Sequence, residues 1–434
     1  MQKLIYLFFV LGIIPSLAFA QADSAKTTFH FQQTVVSQYH VPFHSPYYGR
    51  NSLENRDGWH TSLTTTIFTG LKLWKGAEFY FNPEMAGGSG LSGAYGIAGF
   101  PNGETFRVGN PSPTLYIARG FLRQHIALSK DFEEYKEGNN QIGSRLPADR
   151  ITITAGKLCM GDMFDNNSFS HDPRSQFLNW SLMEAGAWDF PANTRGYTYS
   201  IVVEDIHPKW AIRVASSMVP VTANGPYLDL NIGKAHSETI EFEKHYTLGK
   251  KNGSIRILGY TTLAFMGSYK MVLSNVALYD TSVINTRSYG RRKSGFIINL
   301  EQNLTSNSGV FIRGSWNDGQ NETWAYTEID ASLSAGYFMN GGLWHRANDK
   351  FGIACVVNGL SDAHRDYLAA GGYGFIIGDG KLNYSNEIIV EAMYNYKFNN
   401  YFFISPDYQF VLNPAYNKDR GPVHIIGFRG HIEF

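Results

Sequence analysis

From residue 27 to the C-terminus, apolar and polar side chains alternate with a period of two in long segments separated by turn residues. That pattern restricts the chain to strands of a sheet with two unlike faces, and helical periodicity is hard to find. In the last segment Ile426, Phe428, Ile432 and Phe434 share one parity with Gly430, whereas Gly427, Arg429, His431 and Glu433 take the other. Just upstream, Phe402, Ile404, Tyr408, Phe410 and Leu412 oppose Ser405, Asp407 and Gln409. The same holds for Ala77, Phe79 and Phe81 against Glu78, Tyr80, Asn82 and Glu84, and for Val310, Ile312 and Trp316 against Arg313, Ser315 and Asn317. Tyr394, Tyr396 and Phe398 likewise oppose Glu391, Asn395 and Lys397.

A soluble antiparallel sheet alternates in the same way, with its apolar face on a core. Three features favour lipid instead. The segments run to about 9 to 12 residues, the length a tilted strand needs to cross hydrocarbon, against about 5 to 6 for soluble strands. Aromatics gather at segment ends, as at Trp59, Trp74, Trp210, Tyr401 and Phe434, where interfacial girdles lie. The final strand also stops on an aromatic, Phe434.

Composition narrows the classes further. The 434 residues carry 37 basic and 37 acidic groups, so there is no basic surface for nucleic acid and no acidic tail. No apolar run long enough for a transmembrane helix follows the first twenty positions. Those positions read as an export signal: Lys3, an apolar run from Leu4 to Leu17, and Ala18-Phe19-Ala20 before Gln21. We therefore expect residues 1–20 to be removed and residues 21–434 to form one domain, with no internal repeat or linker.

Candidate strands lie at 28–38, 59–70, 76–84, 113–128, 148–158, 194–204, 209–219 and 238–248, then at 253–266, 291–303, 307–318, 326–339, 350–357, 386–398, 401–412 and 422–434. The fold class is all-β, a transmembrane antiparallel β-barrel of about 16 strands. Closure is forced because lipid offers no partner to edge N–H and C=O groups. Asn252-Gly253, Asn307-Ser308-Gly309 and Asn399-Asn400 are expected to be tight periplasmic turns. The connections 85–112, 159–193, 220–237 and 358–385 are long and rich in Gly, Pro, Asn and Asp, and should lie outside or fold inward.

The stretch Glu391 to Phe434, reading EAMYNYKF, FISPDYQFVLNPAYN and IIGFRGHIEF, resembles the carbohydrate-selective outer-membrane porin family (OprB type). A second block resembles it too: Ala118 to Gln124 (ARGFLRQ), Ile151 to Lys157 (ITITAGK), Asp162 to Asp165 (DMFD) and Phe177-Leu178-Asn179. Gly341 to Arg346 (GGLWHR), with Asp349 and Gly352, is a weaker third. The resemblance covers roughly residues 115–434 in order. It implies an outer-membrane barrel that lets sugars or small polar solutes diffuse through without an energy source, with no cofactor. It also implies insertion machinery that reads Phe434, and a monomer or trimer in the lipid.

A neutral sugar needs water, aromatic faces for its C–H surfaces, and charged pairs to replace hydrogen bonds to its hydroxyls. Arg119 and Arg123 share parity with Phe121 and His125, and pointing an Arg at lipid would cost about 2 to 4 kcal/mol, so they should face inward. With Arg150, Arg213, Arg256, Arg313 and Arg429 they are expected to form a basic stripe on the lumen wall. Facing carboxylates would come from Glu78, Glu84, Glu391, Asp407 and Glu433. The competing reading is that these charges only neutralise one another across a solvated wall.

Gly161 to Trp188 (GDMFDNNSFSHDPRSQFLNWSLMEAGAW) is too long and too aromatic for an ordinary hairpin and is expected to fold inward as a constriction loop. It contributes Asp165, Arg174, Trp180 and Trp188, and Arg174 to Glu184 reads as a short helix. Its rival is an external cap packed on itself. Its His171-Asp172 pair matches neither an EF-hand nor a zinc spacing, so no metal is expected.

The glycine-rich Gly87 to Gly103 lacks a P-loop Lys and is expected to be a flexible external loop. Ser89 has no nucleophile-elbow context. Cys159 and Cys355 could pair or stay free. Two other classes were weighed: an outer-membrane barrel enzyme of phospholipase type, for which no Ser/His pair stands out, and an adhesin or polysaccharide-export barrel, for which large charged loops are missing.

Overall fold

The computed structural model describes residues 26–104 and 111–434, so the expected leader lies outside the described residues. Strands form where the alternation runs: β1 (Thr27–His40), β2 (His60–Lys72), β3 (Ala77–Gly88), β4 (Thr114–Ala127), β5 (Phe132–Tyr135), β6 (Ser144–Pro147), β7 (Arg150–Leu158), β8 (Thr198–His207) and β9 (Trp210–Ser217). They continue as β10 (His236–Leu248), β11 (Lys251–Ala264), β12 (Arg291–Asn303), β13 (Ser308–Asn317), β14 (Ala331–Gly341), β15 (Arg346–Gly359), β16 (Glu387–Lys397), β17 (Phe402–Leu412) and β18 (Val423–Glu433). Among the described residues all but β5 and β6 close into a single antiparallel barrel of 16 strands, in which β4 pairs with β7. β1 meets β18 with Val36 opposite Arg429, so no edge is left for lipid to cover.

Each segment read from the alternation corresponds to one barrel strand. Several boundaries move. Residues 194–197 and 326–330 have strand-like composition but belong to loops, because Tyr197 and Tyr326 turn inward on other partners, while β15 extends on both sides of 350–357. The hairpin β5–β6 was not foreseen.

Two expected turns are displaced. Asn252 and Gly253 sit inside the β10–β11 ladder opposite Thr247 and Tyr246, and the chain reverses at Gly249-Lys250, where Gly249 has φ +64°. Only glycine adopts that backbone without cost at the first central position of a two-residue loop. Ser308 and Gly309 open β13, so that reversal lies at 304–307, whereas Asn399-Asn400 does lie in the reversal between β16 and β17. These short reversals share one end of the barrel with the chain's C-terminus, where Phe31 N–H donates to Phe434 C=O. Short turns mark the periplasmic end. The long connections lie at the other end, which also carries 41–59, 265–290 and 318–330.

The two faces separate as the parity requires: Phe428 is 49% exposed toward lipid and its neighbour Arg429 1% exposed inside. The inner face, however, is not uniformly polar. Leu258 and Ile297 pack in one cluster with Phe164 and Trp188, and Phe311 and Ile389 in another with Phe177 and Leu182. A hydrophobic core therefore sits inside the barrel, between the wall and the β7–β8 loop (residues 159–197), which does fold inward.

That loop crosses to the far wall by handing its backbone to inward side chains. Asp165 N–H donates to Glu241 at 2.8 Å, Ser168 N–H to Glu301 at 2.6 Å, and Leu178 and Asn179 N–H to Glu391 at 2.6 and 2.9 Å. Arg313 donates to Asp165 Oδ1 at 3.0 Å, Leu182 C=O at 2.8 Å and Ser170 C=O at 3.0 Å. Arg429 donates to Pro173 and Gln176 C=O at 2.5 and 2.8 Å. Residues 173–176 form a separate turn, with Gln176 N–H on Asp172 C=O at 2.8 Å, and Leu178 and Asn179 give their N–H groups to Glu391, so the expected helix shrinks to α1 (Trp180–Met183), capped by Asn179 on Ser181 N–H.

Gly87 to Gly103 is likewise not an external loop. Ala98 and Gly99 N–H donate to Glu387 at 3.0 and 2.8 Å, and Phe100 C=O accepts Trp180 N–H at 3.0 Å. Gly96 (φ +81°) lies so close to Leu53 that a Cβ would fall 1.9 Å from its nitrogen. Small residues here permit close approach, and flexibility is not their role. Cys159 and Cys355 are both free: Cys355 is exposed on the outer face of β15, and Cys159 faces the interior.

Two outcomes are expected from this arrangement. In vesicles, Cys355 should react with a membrane-soluble maleimide and resist a water-soluble one; the reverse would place β15 in the wrong register. Arg313→Ala leaves Asp165 buried without its cation, which costs about 3 to 5 kcal/mol. It should lower the unfolding midpoint in urea and enlarge the open conductance as the loop loosens, and an unchanged conductance would remove Arg313 as the loop's anchor.

Candidate functional site

A cavity of about 520 Å3 remains between the inward loop and strands β1 to β4. The period of two puts Glu84 on β3 and Arg119 and Arg123 on β4 into it, while the loop brings Asp162, Arg174, Trp180 and Glu184 from above. Arg174 is the centre of the polar wall: it donates to Glu104 Oε1 at 3.0 Å and Gln32 Oε1 at 2.8 Å and reaches Glu84 Oε2 at 3.4 Å. Glu84 also accepts from Thr66 at 2.6 Å, Tyr116 at 2.5 Å and Tyr197 at 2.9 Å. Arg119 forms a two-pronged pair with Asp162, both contacts 2.6 Å, and its guanidinium lies 5.2 Å from the Tyr197 ring centre. Arg123 has a carbonyl partner, Asn140 C=O at 3.1 Å, and lies 5.2 Å from the ring centre of Tyr80.

The apolar wall is a stack. Trp180 lies 5.2 Å from Phe100, 5.6 Å from Phe190 and 4.8 Å from Tyr326, centre to centre. Offset stacking of this kind holds the indole rigidly against the lumen. Trp180 Nε1, His171 Nδ1 and Glu184 Oε2 have no hydrogen-bond partner within the protein although all three residues line the cavity. Burial, reinforced by the nearby Asp165 carboxylate, holds the Glu184 carboxyl well above the usual carboxylate range. Its neutral form is the one the cavity favours.

Of the residues singled out in the sequence, Glu84, Arg119, Arg123, Arg174 and Trp180 meet here. Asp162, His171 and Asp172 of the loop join them, the other expected pore-lining residues do not, and the expected basic stripe breaks into separate pairs. Glu78 is buried on Tyr80, Arg150 is taken by Pro147 C=O and Tyr135 at the periplasmic end, and Arg213 sits among Glu204, Glu241 and Glu243. Asp165, Arg313, Glu391 and Arg429 hold the loop, Asp407 accepts from Gln409, and Trp188 is fully buried in the core. Alternation determines facing, but a loop folded against one side of the barrel decides which inward charges still see water.

Glu104 was missed in a connection expected to lie outside or fold inward, and Tyr197 and Tyr326 in segments read as strand. The signal that could have found Glu104 is its place just after a glycine-rich run too apolar, at Leu91, Ile97 and Phe100, to lie in water. Among the described residues no cluster of His, Cys, Asp and Glu could hold a metal ion.

No curated protein matches the sequence. The high-pH structure of Pseudomonas putida OprB superposes with a TM-score of 0.71 at 16% identity, covering 94% of each chain. The outer-membrane channel DcaP of Acinetobacter baumannii gives a TM-score of 0.52 at 10% identity over 96% of this chain and 99% of that one. OmpT of Vibrio cholerae, as expressed in the outer membrane, gives 0.50 at 8% over 95% and 99%. At such identities these likenesses speak for the fold alone, a porin barrel. The sequence itself carries more, since residues 50–434 match the family model described as carbohydrate-selective porin, OprB family. The chain therefore belongs to the OprB family of carbohydrate-selective porins, passive channels of the bacterial outer membrane and not enzymes.

Proposed function

We propose that the cavity is the transit site for a neutral saccharide, held weakly between the Trp180 face and the Arg174 group. The observation that carries this reading is the combination of a rigid aromatic wall with a polar wall whose charges balance. Among the described residues lining the cavity, Arg119, Arg123, Arg174 and Arg195 stand against Glu84, Glu104, Asp162, Asp172 and Glu184. With Glu184 protonated the two signs cancel, so neither anions nor cations are drawn in. Trp180 Nε1 and Glu184 Oε2, which have no hydrogen-bond partner in the protein, offer hydrogen bonds that a hydroxyl-rich solute can complete, beside His171 Nδ1 at 3.6 Å from Glu184 Oε1. Water can complete them too, which keeps binding weak enough for release.

The residues outside this cavity serve the fold in this reading, and the solute roles expected for Arg150, Arg213, Arg313, Glu391, Asp407 and Arg429 pass to Glu104, Tyr197 and Tyr326. Residues 1–20 would be cleaved after export, leaving residues 21–434 as one barrel domain. Phe434, stacked on Phe31 with ring centres 5.1 Å apart, would be the terminal aromatic read by the insertion machinery.

Planar-bilayer recording tests the assignment. Stable open steps should be partly blocked by glucose, and Trp180→Ala should weaken the block about tenfold, equivalent to about 1.4 kcal/mol. Sugar block that survives Trp180→Ala unchanged would remove the aromatic wall from the mechanism. Arg174→Ala leaves Glu84 and Glu104 without their cation, so the reversal potential in a salt gradient should move toward cation selectivity.

The elevated Glu184 carboxyl sets a pH dependence. Below its raised pKa it is neutral; as pH climbs through that value the cavity gains a negative charge, so cation selectivity should grow on the alkaline side. Glu184→Gln should abolish the change, and a profile identical to wild type would assign the titration elsewhere.

A further inference from the structure

The periplasmic end has one departure from its short turns among the described residues, the connection 128–149 that carries β5 and β6. Its tip does not point into the periplasm. Ile142 is fully buried, and its N–H donates to Tyr80 Oη at 3.2 Å inside the barrel. Arg123 Nη1 donates to Asn140 C=O at 3.1 Å, Thr28 Oγ1 to Glu137 Oε1 at 2.6 Å, and Lys72 Nζ to Gly143 C=O at 3.4 Å. The tip is thus held against inward groups at the periplasmic end of β1 to β4, below the cavity. Asn139, Asn140 and Gln141 line that same cavity together with Arg174 and Trp180. Asn140 takes the left-handed backbone (φ +55°), and its side-chain Oδ1 is buried with no partner in the protein. Gln141 spends its Nε2 on Ile142 C=O at 2.9 Å.

We propose that residues 139–141, held in place by Arg123, form an exit-side half of the solute site, where uncharged amides receive the hydroxyls of a polyhydroxylated neutral solute as it leaves the Trp180 wall for the periplasm. The inference rests on the saccharide reading above and adds a second station to it. Its chemistry differs from that of the upper half. Carboxylate and guanidinium pairs make charge-assisted hydrogen bonds, whereas side-chain amides make weaker neutral ones. A solute moving downward therefore meets a polar surface that still replaces its hydration but releases it more readily. The φ of Asn140 explains why an Asn stands at the tip: it tolerates the left-handed backbone and also carries an amide, which Gly would lack.

Asn139→Cys channels, treated with a bulky water-soluble methanethiosulfonate from the short-turn side of a planar bilayer, should lose conductance, and glucose should slow the loss. Wild-type channels serve as the control for Cys159 and Cys355. A modified channel with unchanged conductance, or a cysteine that cannot be modified in a folded barrel, would overturn the proposal. Asn140→Gly keeps the backbone conformation and should shorten glucose residence about threefold; residence equal to wild type would overturn it too. If glucose blocks neither variant nor wild type, the saccharide reading itself fails. If block is lost in Trp180→Ala but untouched by Asn140→Gly, that reading stands and only the exit station falls.

Discussion

A loop folded into a closed barrel can satisfy its backbone only with its own turns, with other inward loops such as Phe100 C=O on Trp180 N–H, and with the wall. On the wall, strand N–H and C=O groups are already spent on their neighbours, so the partners there are side chains. Here Glu241, Glu301, Glu387 and Glu391 accept loop N–H groups, while Arg313 and Arg429 donate to loop carbonyls. The cavity depends on this exchange. Without it the loop residues 159–197 would carry unpaired polar groups into the lumen, each costing about 1 to 3 kcal/mol, and Trp180 and Arg174 would have no fixed position.

The same exchange divides the barrel's interior into two regions. On one side the wall is used up: apolar inward residues such as Phe311 and Ile389 pack on Phe177 and Leu182, and charged ones hold the loop. On the other side, toward β1 to β4, a cavity of about 520 Å3 remains, lined by Gln32, Glu84, Arg119 and Arg123. The loop thus leaves a cavity along one side of the lumen. Apolar inward residues, unexpected for a water-filled lumen, are the counterpart of that choice, since the loop buries them as a soluble core would.

Charge along the path is arranged in opposed pairs. Arg119 with Asp162, and Arg174 between Glu84 and Glu104, present fields that fall off within a few ångströms. Such pairs act on dipolar hydroxyls at contact range while exerting little pull on distant ions. In the reading proposed above, the stacked aromatics opposite them supply a face for C–H groups. The arrangement favours many weak contacts over one strong one, as passage through a channel requires.

Much of the fold was legible because lipid imposes a simple rule. A residue facing hydrocarbon must be apolar, so parity along Ile426 to Phe434 or Phe402 to Leu412 states directly which way each side chain points, and the count of such segments gives the barrel. The family resemblance was legible for a related reason, in that motifs at 118–124, 151–157 and 391–434 lie on wall strands with few alternatives. Depth and neighbourhood were not legible. Arg119 and Arg313 carry the same inward signature, yet one faces the cavity and the other is sealed beneath Asp165. Gly96 and Asn140 look like ordinary loop residues, yet one allows an inward loop to approach Leu53 and the other turns a periplasmic hairpin into the lumen. Alternation is a property of neighbouring residues along one strand and survives in the sequence. Which inward groups are covered depends on where loops from distant parts of the chain come to rest, and only packing in three dimensions decides that.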